Sequence, residues 1–147
     1  MPHITWHIPD KLAGTSRPGR ELGDATAVDA ATVDAWIDEV KRAGIRSVIC
    51  LLGEDQLPLY EALPGGHPDG LIAYYRSAGL EVAHVPALDF QIPALTEEQL
   101  ERVRTAYRAL PKPVVVHCSA GIARTGEAVQ YIVMGEEGQG GGMKAEG

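Results

Sequence analysis

One stretch of this chain carries the residue types of nucleophilic chemistry: Val114 to Gly126 reads VVVHCSAGIARTG. Three β-branched residues suit a strand that ends as a small-residue loop begins, and the last residues suit the start of a helix. Gly121, with small Ala120 and Ala123 around it, lets the backbone curl so that successive N–H groups point inward as an anion-binding nest. The helix that follows adds unpaired N–H groups and the positive end of its dipole. Arg124 closes the ring with a planar fork matched to two oxygens of a phosphate. Cys118 falls at the base of that ring. A free thiol is only a few per cent ionised at neutral pH, and nest, helix terminus and Arg124 all favour its anion. The field that would hold a phosphate would therefore also create a thiolate.

Such a loop needs a strand before it and a helix after it, and the rest of the chain reads accordingly. Val33, Trp36, Ile37 and Val40 recur at helical spacing between Thr32 and Ala43, with Gly44 as a stop. RSVICLL, Arg46 to Leu52, is short, β-branched and apolar, as a buried strand is. Asp69 to Ala78 predicts a short helix ended by Gly79, and Glu81 to Leu88 a further strand. Thr96 and Gln99 have capping-box spacing ahead of the stripe Leu100, Val103, Tyr107 and Leu110, which Pro111 and Pro113 end. A last helix is expected from Thr125 to Met134. Strands separated by helices predict an α/β fold with a central, mainly parallel sheet and right-handed crossovers. Ligands bind such sheets beyond the carboxyl ends of the strands, where the Cys118 loop lies.

Composition narrows the partners. The chain has 147 residues, 45% of them hydrophobic, a formal charge of -7 and two cysteines. That length suits one domain with a real core, here residues 1–134, followed by a glycine-rich flexible tail at 135–147. Net negative charge argues against nucleic acid, and no apolar run reaches the roughly 18 residues of a membrane span. No secretory signal is visible at the N-terminus, so a reduced, cytoplasmic setting is expected. His3, His7, His67 and His84 have no partners at metal-ligand spacing, and no cofactor is called for.

The Cys-x5-Arg pattern from Cys118 to Arg124, with His117 before it and Thr125 after it, resembles the signature of the cysteine-dependent protein phosphatases. VPALDFQIP, Val85 to Pro93, resembles the acid loop of the small atypical dual-specificity members, and Ile4 to Gly19 their opening strands. The resemblance implies a phosphotyrosine phosphatase-like fold and a metal-independent hydrolysis of phosphomonoesters through a phosphocysteine. In it Cys118 attacks phosphorus. The backbone N–H groups of Ser119, Ala120, Gly121, Ile122, Ala123 and Arg124, with the Arg124 fork, hold the equatorial oxygens. Asp89 protonates the leaving alcohol and then activates water, Thr125 hydrogen-bonds the sulfur, and His117 organises the cysteine. The absence of a deep phosphotyrosine-recognition segment implies phosphoserine, phosphothreonine and phosphotyrosine as substrates, in proteins or small phosphomonoesters. The loop has no lysine or histidine between Cys118 and Arg124, which argues against polyphosphoinositides. Two positions depart from the pattern: Ala123 is often glycine, and the family usually continues for two more helices. Either a C-terminally reduced fold or a partner subunit covering the face those helices would cover is the resulting expectation, in a monomer or weak homo-oligomer.

Two other functions use a similar loop. A noncatalytic phosphate-binding module needs neither Cys118 nor Asp89, and a sulfur-carrying, rhodanese-like enzyme needs no separate acid loop. Simpler readings attach to the remaining candidates. Cys50, inside SVICLL, is expected in the core, with a reversible disulfide to Cys118 as the minor reading. Trp36 is expected in the core, Tyr74 and Tyr75 on a helix surface, and Glu54 as a solvated loop charge.

Overall fold

The computed structural model describes residues 3–66 and 70–146, and side chains as far as Glu137. Its strands are β1 (Thr5–Ile8), β2 (Leu12–Thr15), β3 (Ser47–Leu52), β4 (Glu81–Ala87) and β5 (Val114–His117). Its helices are α1 (Ala30–Arg42), α2 (Gly70–Ser77), α3 (Glu97–Ala109) and α4 (Ala123–Glu146), with short 3-10 turns at Arg20–Leu22 and Leu57–Tyr60. The strands form one sheet in the order β1-β2-β5-β3-β4; β1 runs antiparallel to β2, and the other pairings are parallel. The α/β class and the mainly parallel sheet agree with the sequence reading.

Alternation along the strands builds two cores. Val48, Cys50 and Leu52 of β3 face α1 and α2, where Trp36, Val40 and Tyr75 pack on them. Ile49 and Leu51 face the other way with Val114 and Val116, under Val103 and Tyr107 of α3 and Val129 and Ile132 of α4. A strand buried on both faces must be apolar throughout, which is why β3 and β5 read as uninterrupted hydrophobic runs.

Register brings the functional ends level. Thr15 of β2 and Cys50 of β3 both pair with His117, the last residue of β5, and Leu52 pairs with Ala87 at the end of β4. The segments leaving these four strands therefore emerge at one edge of the sheet. Asp29 caps α1, accepting from Thr32 N–H at 2.9 Å, so α1 starts at Ala30, two residues before the expected start at Thr32. Thr96 and Gln99 form both bonds of the capping box of α3, fixing where the chain turns from the Asp89 segment into that helix.

The end of the chain differs from expectation. Helix α4 does not stop at Met134 but runs to Glu146. Its partner is α3: Arg104 donates to Tyr131 Oη at 2.9 Å, and Arg108 pairs with Glu136 at 3.6 Å. A Cβ at Gly135 would sit 3.0 Å from Arg104 Nη1, so glycine here leaves room for that side chain against α4. His67 and the predicted helix start at Asp69 lie outside the described residues.

Candidate active site

Cys118 leaves β5 as its first loop residue and is 2% exposed, at the floor of a cleft of about 220 Å³. Ser119, Ala120, Ile122, Ala123, Arg124 and Asp89 line the same cleft. Gly121 takes φ of 77°, a left-handed step that turns the loop back on itself. Among the described residues, the N–H groups of Ser119, Ala120, Gly121 and Ile122 donate to no protein acceptor. Four neighbouring unspent donors beside one thiol are an arrangement able to hold an anion. Ala123 is not among the positive-φ residues, so its methyl group fits where the family often has glycine.

Glycine is obligatory at 121 for two independent reasons. Its φ disfavours L side chains, and a Cβ would lie 2.6 Å from the carbonyl carbon and oxygen of Thr15, backbone atoms of β2 that cannot swing away. Gly121→Ala is expected to cost about 3 kcal/mol, which a lowered thermal midpoint reads directly, and to abolish binding of inorganic phosphate. An unchanged midpoint would show that the loop can relax elsewhere.

Arg124, 2% exposed in the first turn of α4, is held at both ends of its fork. Nη1 donates to Ala87 O at 2.7 Å and Leu51 O at 3.4 Å, and Nη2 to Gln56 Oε1 at 2.8 Å. Asp89 Oδ1 lies 3.2 Å from Nη2, so the acid-loop carboxylate and the loop arginine meet. The Asp89 segment is anchored in turn: Asp89 N–H donates to Asp55 Oδ2 at 2.9 Å, and Gln56 Nε2 reaches Asp89 Oδ2 at 3.5 Å. Phe90, beside Asp89, is 91% exposed with φ of 62°, a conformation that aromatic residues seldom adopt.

His117 sits behind the cysteine in the core. Its Nδ1 meets Cys118 O at 3.0 Å and its Nε2 meets Tyr75 Oη at 2.9 Å. Trp36 stacks on Tyr75 with centroids 5.2 Å apart and meets His117 edge-on at 5.3 Å, while its Nε1 donates to Ser16 O at 3.0 Å. Burial pushes His117 down to about 4 from 6.5, so the ring is neutral at neutral pH. Between pH 6.5 and 4 the unfolded chain takes up a proton that the folded chain refuses. The stability due to this residue is therefore complete above pH 6.5 and lost as pH falls toward 4, by about 3 kcal/mol in all. Urea midpoints at pH 7 and pH 4.5 should separate accordingly, and His117→Gln should narrow the gap.

Thr125 is placed beside the cradle but does not make its expected contact. Its Oγ1 is buried without a hydrogen-bond partner, and its methyl carbon lies 3.0 Å from where a Cβ on Gly14 would be. Cys50 packs in the core on the α1 side and Cys118 in the core on the α3 side; both are free, and burial pushes the Cys50 thiol up to about 12. Cys50 is thus a core residue rather than a reactive one. Glu54 is exposed, and Gln56, two residues on, is the one that reaches the site. Tyr75 is buried against His117 instead of lying on a helix surface. Gln56, Tyr75 and the buried Arg17 carry no local signal of their roles; the carboxyl end of a predicted strand was the one pointer to Gln56.

Comparisons with known proteins bear on the family and the fold. Residues 30–137 match the family model described as "Tc-R-P: Polymorphic toxin system, DSP-PTPase phosphatase". No curated protein matches the sequence. Among solved structures, Tk-PTP in its active form is 22% identical, with 92% of this chain and 74% of that one aligned at a TM-score of 0.63. A DUF442 phosphatase of Shewanella putrefaciens CN-32 is 21% identical, with 92% and 69% aligned at 0.55. At these identities the neighbours establish the fold, and the family model spans most of the chain. The chain belongs to the DSP-PTPase phosphatase family of polymorphic toxin systems, within the cysteine-dependent phosphatase superfamily.

Proposed function

We propose that this phosphatase is a metal-independent phosphomonoesterase of dual-specificity type, working through a phosphocysteine on Cys118. The observation that carries the reading is the set of unspent N–H groups from Ser119 to Ile122 around the Cys118 thiol, closed by the Arg124 fork. Phosphoryl transfer spreads charge over three equatorial oxygens, and donors fixed in advance stabilise that charge without reorganising. The Cys118 thiolate attacks phosphorus as the bond to the leaving oxygen breaks, and Asp89 gives that oxygen its proton. Water then attacks the phosphocysteine, Asp89 takes a proton back, and the sulfur leaves as thiolate with release of inorganic phosphate. His117, neutral and bonded to the Cys118 carbonyl, positions the nucleophile and is no base. The unpartnered Thr125 hydroxyl is available to the departing sulfur.

The Arg124–Asp89 contact at 3.2 Å supports Asp89 as the acid. A phosphate dianion entering the cradle takes over Arg124, so Asp89 exchanges a cation for an anion as its neighbour. Exposed Phe90 and Ile122, which line the cleft, suit the apolar part of a phosphorylated side chain, whether a serine, threonine or tyrosine ester. A monomer or weak homo-oligomer in the cytoplasm completes the proposal.

Hydrolysis of p-nitrophenyl phosphate with EDTA present tests it. Turnover that survives the chelator supports the mechanism; binding of phosphate without turnover would leave a noncatalytic module, and sulfur transfer from thiosulfate a rhodanese-like enzyme. Asp89→Asn is expected to lower turnover of a phosphoserine peptide by about 10²-fold and to remove the alkaline limb of its pH profile. The loss on p-nitrophenyl phosphate should be smaller, since that leaving group needs little protonation. Equal losses on both substrates would count against Asp89 as the acid.

A further inference from the structure

A second arginine lies beneath the cradle, outside the Cys-x5-Arg signature. Arg17, in the segment that follows β2, is 1% exposed. Its Nε donates to Ser119 Oγ at 3.2 Å, Nη1 to Tyr60 Oη at 3.1 Å, and Nη2 to Gly23 O at 3.2 Å. Its backbone N–H donates to Ser119 O at 2.9 Å. The guanidinium thus joins the Cys118 loop to the Leu57–Tyr60 turn and to the end of the Arg20–Leu22 turn. Every one of these acceptors is neutral. No ion pair among the described residues includes Arg17.

Its hydrogen bonds are satisfied but its charge is not, and a buried charge without a counter-charge is costly. Hydroxyl and carbonyl dipoles that would equally hold a neutral donor do not explain why an arginine is kept there. The field of Arg17 reaches the neighbouring groups: it opposes protonation of His117 and lowers the cost of ionising Tyr60. The adjacent place where negative charge is to be held is the cradle, to which Ser119, whose hydroxyl Arg17 grips, itself belongs. We propose that Arg17 is a positioning residue for oxyanion binding, a fixed positive charge beneath the loop that is balanced when a tetrahedral dianion fills the cradle. Arg124 meets the anion directly; Arg17 acts through the field and through Ser119. The inference rests on the anion-cradle part of the proposed function and not on turnover.

Binding of tungstate, a tetrahedral dianion, measured by calorimetry on the full chain separates charge from scaffolding. Arg17→Gln is expected to weaken tungstate by about tenfold or more, and Arg17→Lys, which keeps the charge but not the fork, to remain within about threefold of wild type. Both should lower the thermal midpoint to a similar degree, because both lose the contacts to Tyr60 and Gly23. Equal weakening in the two variants would make Arg17 a tie between segments and overturn the proposal, as would wild-type affinity in Arg17→Gln. Should Arg17→Gln fail to fold, Arg17→Lys decides alone: retained affinity with a lowered midpoint supports the charge, and a tenfold loss in a folded variant overturns it. A wild type that binds tungstate but hydrolyses no phosphomonoester would sink the enzymatic reading and leave this one standing. A wild type that binds no tungstate sinks both.

Discussion

Replacing Cys118 by serine is expected to lower phosphomonoester turnover by at least about 10⁴-fold while the chain stays folded and still binds inorganic phosphate. The two side chains differ by one atom in a site that is 2% exposed, so packing changes little. What changes is the nucleophile. A serine hydroxyl in the same place is not ionised at neutral pH, and His117 is not placed to act as its base: it faces the carbonyl of residue 118 and Tyr75. Asp89 is paired with Arg124. Mass spectrometry of wild type quenched during turnover should find a phosphate on the peptide containing Cys118, and none on the serine variant. Turnover in Cys118→Ser within tenfold of wild type would move the nucleophile elsewhere.

Much of this site could be read from the sequence because its chemistry is local. Cys118 to Thr125 are consecutive, so strand end, glycine turn and helix start fall within one window. The capping box at Thr96 and the stripe from Val33 to Val40 are local in the same sense, and both recur in the structure. The support around the loop is not local. Arg17 meets Ser119 across 102 positions, Gln56 meets Arg124 across 68, and Tyr75 meets His117 across 42. A lone arginine or glutamine between elements looks like any solvated residue until the parallel register sets the strand ends level. An adjacent tyrosine pair leaves open which ring turns inward, so the helix-surface expectation fails at Tyr75, which is the buried one, while Tyr74 reaches Asp34 at 2.6 Å. Composition also misled at the end of the chain. Glycines at 135–142 argue against a helix by propensity, yet α4 runs to Glu146, with α3 contacts as far as Glu136.

The network around Arg124 makes lysine at that position a severe test. Arg124→Lys is expected to lower kcat/KM by about 10³-fold, roughly 4 kcal/mol of transition-state stabilisation. The guanidinium is anchored by Ala87 O, Leu51 O and Gln56 Oε1, while Nε–H and the Nη2 hydrogen that faces Asp89 are left for phosphate, a division that a single ammonium cannot reproduce. A lysine able to reach the carbonyls falls short of the equatorial oxygens, and one that reaches the oxygens leaves buried acceptors unpaired. Gln56→Leu removes one anchor and keeps the fork, so its loss should be smaller, about tenfold. Because both changes act on the same fork, the double variant should fall no lower than Arg124→Lys alone. If the two losses simply add, Gln56 contributes through something other than holding Arg124. If Arg124→Lys retains more than a tenth of wild-type kcat/KM, the fork does not bind the transferring group, and the N–H groups from Ser119 to Ile122 carry the phosphate without it.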